Sequence, residues 1–191
     1  MDVLYSGWNW CLLTTAEPAM EKLFEQYEFQ EFKWIDPKEI VVSQWVRMKC
    51  EFGCPDYGNA SCPPNLPSVS NCQKFFREYT DAWIFRFTTT EENPESLDHW
   101  LDGIKSQLLT LERDIFLQGY VKAFLLSIGN CTLCGECVAN RADCKHKKRA
   151  RPTPEGMAVD LFSTVSRVGY PLEVLKDHSA EINRYAILLV Q

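Results

Sequence analysis

The sequence predicts an α/β fold, with a central sheet, helices on the faces of that sheet and two cysteine-rich loops inserted between the regular elements. A strand, a long helix and a second strand follow one another between residues 82 and 128. A last strand closes the chain, and two segments dense in cysteine interrupt the regular pattern. With 191 residues, 46% of them hydrophobic, the chain is long enough for one well-packed core, so we expect a single domain over 1–191.

The N-terminal part contains helix signals and a loop. Pro18 opens a run with apolar residues three and four positions apart, which is typical of an amphipathic helix. A mixed segment follows, and Asp36 precedes a proline, as a helix cap does. The glycines and prolines of Cys50–Pro67 predict a loop without a regular element, and helical spacing resumes at Ser70–Tyr79.

The central part predicts a crossover unit. Aromatic and β-branched residues make Ala82–Phe87 a strand, and Val121–Ile128 is another. Between them, Asn93 caps a helix of about 24 residues with leucines and isoleucines three and four apart, and Gly119 offers its end. Parallel strands joined in this way form a right-handed crossover, so we expect at least one in the sheet.

The C-terminal part adds one more helix and one more strand. The apolar spacing predicts a helix over Gly156–Val168 and a strand over Tyr185–Val190. No apolar stretch approaches the roughly 20 residues that cross a bilayer. The first residues lack the charged and apolar regions of a secretory signal, so we expect a cytoplasmic protein.

The charge is acidic overall and basic in one place. The formal net charge is −6, and six cations crowd one short segment: Arg141, Lys145, Lys147, Lys148, Arg149 and Arg151. An acidic body argues against general nucleic-acid binding. The basic run is either a solvated loop or, if it lies beside an anionic centre, a patch that steers an acidic partner.

Four cysteines of the segment 131–151 form the more specific motif. Cys131, Cys134 and Cys137 stand at intervals of three positions, and Cys144 follows. A [4Fe-4S] cluster suits this spacing, because a chain that curls round it places successive thiolates on different irons. The run shares its core with bacterial ferredoxins but does not close with their Cys-Pro. Zinc is the alternative, although its sites commonly use two separated pairs of cysteines.

Four further cysteines occupy the segment 50–72 with looser spacing. Cys50, Cys54, Cys62 and Cys72 are the candidate ligands of a second [4Fe-4S] cluster, with zinc or unligated thiols as the alternatives. Prolines after Cys54 and Cys62 stiffen the turns that present these thiols. Because it precedes a proline, Cys62 is also a candidate ligand for the cluster of the other set.

The remaining candidate ligands are weaker. Cys11 lies among tryptophans and leucine, where a packed thiol is the simpler interpretation. His99, His146 and His178 show neither metal-ligand nor triad spacing. No glycine-rich phosphate loop and no paired carboxylates placed by spacing indicate catalysis, so the sequence assigns no catalytic residue.

The order of these motifs resembles one known family. The segments that carry the resemblance are Val46–Cys50, Cys54–Gly58, Cys62–Pro64, Cys131–Cys137 with Cys144, and Arg151–Gly156 with Asp160. They resemble the bacterial and archaeal family of predicted metal-binding proteins, domain of unknown function 2284. The resemblance implies that the two cysteine sets belong together and bind metal, and iron–sulfur clusters are the expected form. It implies no substrate or reaction.

These observations favour a small iron–sulfur protein that passes electrons to a redox protein partner. Two other classes stay open at this point. One is a non-redox iron–sulfur enzyme, in which one iron keeps an open position, and the other is a zinc-stabilised interaction module. The number of cysteines that each centre requires separates the first two classes, and the metal content separates the third.

Overall fold

The structure, a computed structural model, describes residues 16–174 and 181–191. The chain divides into two units, Met1–Gln30 and Glu31–Gln191. In the first unit the described part contains helix α1, Ala16–Gln26, which confirms the predicted N-terminal helix. The prediction of a single domain over 1–191 stays a prediction.

The second unit is a mixed α/β structure, as predicted in outline. Its strands and helices, in chain order, are β1 (Phe32–Ile35), α2 (Gln44–Gly53), α3 (Val69–Phe76), β2 (Ala82–Thr89), α4 (Pro94–Leu117), β3 (Phe124–Leu126), α5 (Leu161–Arg167) and β4 (Ile182–Leu189). Short 3-10 helices span Pro37–Glu39 and Arg141–Asp143. Within the described ranges, no helix is both long enough and apolar enough to pass through a bilayer.

The sheet has four strands in the order β1-β2-β4-β3, and every neighbouring pair is antiparallel. Ile84 of β2 faces Ile187 of β4, and Leu125 of β3 faces Leu188. Because β2 and β3 both run opposite to β4, they run in the same direction as each other. The helix α4 joins them, but β4 lies between them, so the predicted crossover strands are not neighbours. The handedness of their connection stays a prediction.

Helix α4 forms where the sequence predicts it. The Asn93 side chain accepts hydrogen bonds from the backbone N–H groups of Glu95 and Ser96, which caps the first turn. One stripe of the helix is buried: Leu101, Ile104, Leu108, Leu111, Glu112 and Ile115. The helix ends at Leu117, and Gly119 adopts a φ of +103°, a conformation that glycine accepts without strain.

Both faces of the sheet are buried. On one face, Ile84 and Ile187 pack in a cluster with Phe76 of α3 and Val165 of α5. Residues that alternate with them, such as Phe85, are also fully buried, and α4 lies next to β3. The sheet is therefore enclosed, and long loops extend from the ends of its strands and helices.

Three elements differ from the sequence prediction. The predicted loop Cys50–Pro67 is partly wrong, because α2 continues through Cys50 to Gly53. The predicted helix Gly156–Val168 is shorter, since turns occupy its first part and Asp160 caps α5 through the Ser163 N–H. The predicted strand Val121–Ile128 shrinks to β3.

Candidate metal centre

The first cysteine loop begins on α2 and leaves it through tight turns. Cys50 lies on α2, and Cys54 is the residue that ends the helix. The backbone N–H of Cys62 donates to the Asn59 carbonyl at 2.9 Å, and Gly58 adopts a φ of +98° where the chain turns. The loop returns to regular structure at α3.

Three thiols of this loop are close enough to influence one another. Burial raises the pKa of the Cys62 thiol to about 12, and charges on Asp56, Cys54, Cys50 and Cys137 add to the effect. Burial also raises the pKa of Cys50, with a further contribution from Cys54 and an opposing one from Arg47. Cys62 therefore lies near thiols of both sets, and Cys137 is the neighbour from the second set.

Cys72 has different surroundings from the rest of its set. It lies on α3, is fully buried in the cluster beneath the sheet, and its Sγ donates to the Pro67 carbonyl at 3.5 Å. Burial raises the pKa of this thiol, while the charge of Arg47 and a hydrogen bond from it oppose the rise. No other thiol is among the groups that act on it. Cys50 and Cys54 both act on the Cys62 thiol, whereas Cys72 does not, and the place of Cys72 in the first ligand set stays a prediction.

The second cysteine loop packs around a small core of its own. Cys144 and Ala150 are buried there with Ala60 of the first loop, and the partly buried residues against them are Cys131, Leu133, Cys137 and Val138. Cys134, which is also partly exposed, lies in the same loop. Three of the four thiols predicted for this set therefore pack around one core.

The two loops touch. The backbone N–H of Ala60 donates to Cys137 Sγ at 3.4 Å. The Asn65 side chain donates to the Ala139 carbonyl at 3.2 Å and to the carbonyls of Gly58 and Asn59. Asn65 thus holds the turn of its own loop and fixes the other loop to it. Sequence analysis missed this residue, because a single asparagine in a loop carries no signal.

All eight candidate thiols in the described part are free of disulfides. Among the described residues, no three His, Cys, Asp or Glu side chains lie close enough to hold one metal ion. A cubane cluster makes a different demand, because its four thiolates bind four separate irons. Cys11 and His178 lie outside the described residues. His99 is on α4 and His146 in the basic segment, and neither belongs to a group of three potential ligands among the described residues.

Two buried arginine nitrogens near the cysteines lack a hydrogen-bond acceptor in the described structure: Arg47 Nε and Arg141 Nη1. Arg47 is on α2, where its Nη2 donates to the Pro67 and Gly156 carbonyls at 3.1 Å and its charge acts on Cys50 and Cys72. Arg141 lies between Cys137 and Cys144. Buried cationic donors without an acceptor suit an anionic neighbour, which thiolates that hold a metal centre would supply. The residues present therefore fit a thiolate-bound metal.

Each loop also borders a cavity. Cys50 and Cys54 line one of about 420 Å³ together with Trp45 and Arg184. Cys131 lines another of about 210 Å³. Cys50, Cys54 and Cys131 are thus reachable from outside the chain.

Fold and loops together define a small α/β protein with two mutually contacting, thiol-rich loops that suit metal ligation. The chain belongs to the family described as "Predicted metal-binding protein (DUF2284)", whose model matches residues 33–190. The match confirms the resemblance seen in the sequence and supports metal binding in general. No curated protein and no solved structure matches the chain.

Proposed function

We propose that this protein is an iron–sulfur electron-transfer protein that holds two [4Fe-4S] clusters in its cysteine loops. The observation that carries the proposal is the convergence of the two loops, in which Cys62 lies near Cys54 and Cys137 and the backbone of Ala60 contacts Cys137. Two centres in contacting loops are suited to passing an electron from one to the other.

The ligand sets that we propose are those of the two sequence motifs. They are Cys50, Cys54, Cys62 and Cys72 for one cluster and Cys131, Cys134, Cys137 and Cys144 for the other. When bound, such a cluster accepts and releases one electron at a time, at a potential set by its surroundings. The role of the chain is to hold the thiolates and to place positive donors beside them. Arg47 would do this from α2, and Arg141 and the cations of 145–151 would do so from the second cysteine loop.

The positions of the two cysteine sets in the fold also support a role in electron transfer. The ligating loops lie outside the sheet and border cavities, so an electron has a short path to the surface. The thiols are nevertheless partly or wholly buried, except for Cys54, which limits the access of water to the centres. We propose a redox protein as partner and the cytoplasm as location.

A second candidate function is favoured by the position of Cys72. If only Cys50, Cys54 and Cys62 bind the first metal centre, one coordination position stays open beside the cavity of about 420 Å³. An iron–sulfur enzyme with an open iron uses such an arrangement to bind substrate. Trp45, Lys49 and Arg184 on the cavity wall would contact that substrate.

Metal analysis of anaerobically purified protein tests the proposal. We expect about eight iron and about eight sulfide per chain, which is the content of two cubanes. About four of each would limit the proposal to one cluster. A protein that contains zinc and no iron contradicts it and favours the zinc-stabilised interaction module.

Single Cys→Ser variants separate the two candidate functions. Cys134→Ser is expected to lose the second cluster, while Cys11→Ser is the matched control and retains all iron. For electron transfer with four ligands, Cys72→Ser loses iron from the first centre, as Cys54→Ser does. If Cys72→Ser keeps its full iron and its electron paramagnetic resonance spectrum while Cys54→Ser does not, the three-ligand enzyme site is favoured.

A further inference from the structure

Two adjoining cavities form one depression along helix α4. The first is the cavity of about 210 Å³ at Cys131. The second, of about 620 Å³, extends to Phe116 near the end of α4. Ser106, Leu109, Arg149 and Arg151 line both. We call the whole depression the α4 groove, and it runs from the second cysteine loop to the C-terminal end of α4.

The α4 groove is basic in an acidic protein. Its charged lining residues are five cations and two carboxylates: Lys105, Arg113, Lys148, Arg149, Arg151, Asp102 and Glu112. The whole chain carries a net charge of −6, so this surface has the opposite sign to the protein as a whole. An acidic molecule that approaches the protein is therefore attracted to this region and repelled elsewhere.

Both carboxylates of the groove are already paired inside the protein. Glu112 binds Arg151 at 2.8 Å. Asp102 accepts from the Thr132 hydroxyl at 2.5 Å and from Lys105 at 3.2 Å, and the Thr132 hydrogen bond is the main cause that lowers its pKa. These pairs build the walls of the groove. They leave its other cations for a molecule outside.

Lys148 and Arg149 are the cations that face outward. Both are exposed, and neither side chain makes a hydrogen bond or an ion pair with any residue of the described ranges. Arg113 is 72% exposed and only 3.9 Å from Asp114 at its nearest, which is a weak pair. The groove therefore presents three cationic side chains that have no strong partner among residues 16–174 and 181–191.

An apolar anchor lies at the far end of the groove. Phe116 lines it and is 51% exposed, and the neighbouring Leu117 and Val121 are 64% and 73% exposed. Protein interfaces combine a few apolar or aromatic anchors with a charged rim. A site for a small inorganic anion has no use for such an anchor.

We propose that the α4 groove is the docking surface for an acidic protein, seated on Phe116 and held by Lys148, Arg149 and Arg113. The groove ends at Cys131, so the docked partner lies beside the second cysteine set. This inference rests on the proposed function for its purpose, because an electron donor or acceptor must approach a cluster closely. Its physical basis, charge and shape, is independent of the metal.

Binding of poly-L-glutamate to the full chain, measured by calorimetry, tests the docking surface. At moderate salt, about 0.1 M, where the screening length is about 10 Å, we expect Lys148→Glu/Arg149→Glu to weaken binding at least about tenfold, because two attractive charges become repulsive. With a copolymer of glutamate and phenylalanine, Phe116→Ala is expected to weaken binding about fivefold, as the loss of an anchor does, whereas binding of poly-L-glutamate should change less than about twofold. Raising the salt to about 0.5 M should abolish most of the binding, since the screening length falls to roughly 4 Å.

The matched control is Lys38→Glu/Lys74→Glu, which changes the net charge equally at two exposed lysines outside the groove. It should stay within about twofold of the parent chain at moderate salt, where distant exposed charges are screened. Hydrogen exchange should slow along α4 and 145–151 when the peptide binds. Equal weakening by the two double variants overturns the proposal, as does exchange protection confined to other segments.

Two outcomes separate this inference from the proposed function. Groove-dependent binding by a chain that contains no iron supports the docking surface and contradicts the electron-transfer proposal. Unchanged binding by the Lys148→Glu/Arg149→Glu variant of an iron-loaded chain contradicts the docking surface alone. If inorganic phosphate displaces the peptide about tenfold more effectively than chloride at equal ionic strength, the groove is a small-anion site and the proposal is wrong.

Discussion

Removal of the Glu112 carboxylate should cost more stability than any change at an exposed ion pair. Glu112 lies on α4 with 7% of its side chain exposed, and Arg151 binds it through Nε and Nη2 at 2.8 to 2.9 Å. The same carboxylate accepts the backbone N–H of Leu125 on β3 at 3.0 Å. Glu112→Ala leaves a largely buried guanidinium without its partner and a buried N–H without an acceptor.

The magnitude follows from the burial of both groups. Breaking a buried pair by removing one partner costs about 3 to 5 kcal/mol. For a protein of this size, about 1 kcal/mol corresponds to roughly 2 to 4 °C in Tm, so we expect a decrease of about 6 to 20 °C. Glu112→Gln keeps an acceptor for Leu125 and loses only the charge, and we expect about 1.5 to 3 kcal/mol.

Urea and thermal unfolding, followed by circular dichroism, measure the effect. Arg113→Ala is the control, because this exposed pair on the same helix is worth at most about 1 kcal/mol. The double variant Glu112→Ala/Arg151→Ala should lose less than the sum of the two single variants, since it leaves no unpaired charge. If Glu112→Ala lowers the free energy of unfolding by less than about 1 kcal/mol, the reasoning from the burial of this ion pair is wrong.

Three further results are expected. Asn65→Ala removes the side-chain hydrogen bonds to Gly58 and to Ala139 of the other loop and should cost about 1 to 3 kcal/mol and accelerate iron loss to a chelator, whereas the exposed Asn71→Ala should change neither. Burial raises the pKa of Tyr79 to about 12, so stability should fall as the pH rises from about 10, where unfolded tyrosine ionises, towards 12, and Tyr79→Phe should flatten that slope in pH-dependent urea unfolding. Ile187→Ala, at a fully buried central position of the sheet, should cost about 2 to 5 kcal/mol in the same assay, and a cost under about 1 kcal/mol would contradict the enclosed sheet.

Elements with local signals were predictable from the sequence. Helix α4 combines the Asn93 cap, a proline in its first turn and a long stripe of buried apolar residues, and each of these lies within the helix itself. Helix α2 lacks such a stripe, because Val46 is its only buried residue and Phe52 is 78% exposed. The glycines and prolines after Cys50 indicated a loop, so the sequence did not predict that α2 continues to Gly53.

Long-range placement was not predictable in the same way. The apolar run of β4 indicates a strand buried on both faces, but nothing in it specifies insertion between β2 and β3. In the candidate site, spacing predicted which cysteines share a loop. It could not show that α3 turns Cys72 into the main core, because that depends on how the helix packs against the sheet.

The second cysteine loop is long and irregular, yet its two ends are held in fixed positions by the sheet and by helix α4. Its two ends are fixed to each other where the Ser127 N–H, just after β3, donates to the Pro152 carbonyl at 2.8 Å. One residue earlier, Arg151 binds Glu112, which joins the returning chain to α4 and to the backbone of β3. Folding of the chain therefore already brings the ends of this loop together, so metal binding does not have to supply the entropic cost of closing the loop. Binding of a metal centre in this loop would require only the thiol side chains to become ordered. The same anchoring keeps Lys148 and Arg149 in the wall of the α4 groove.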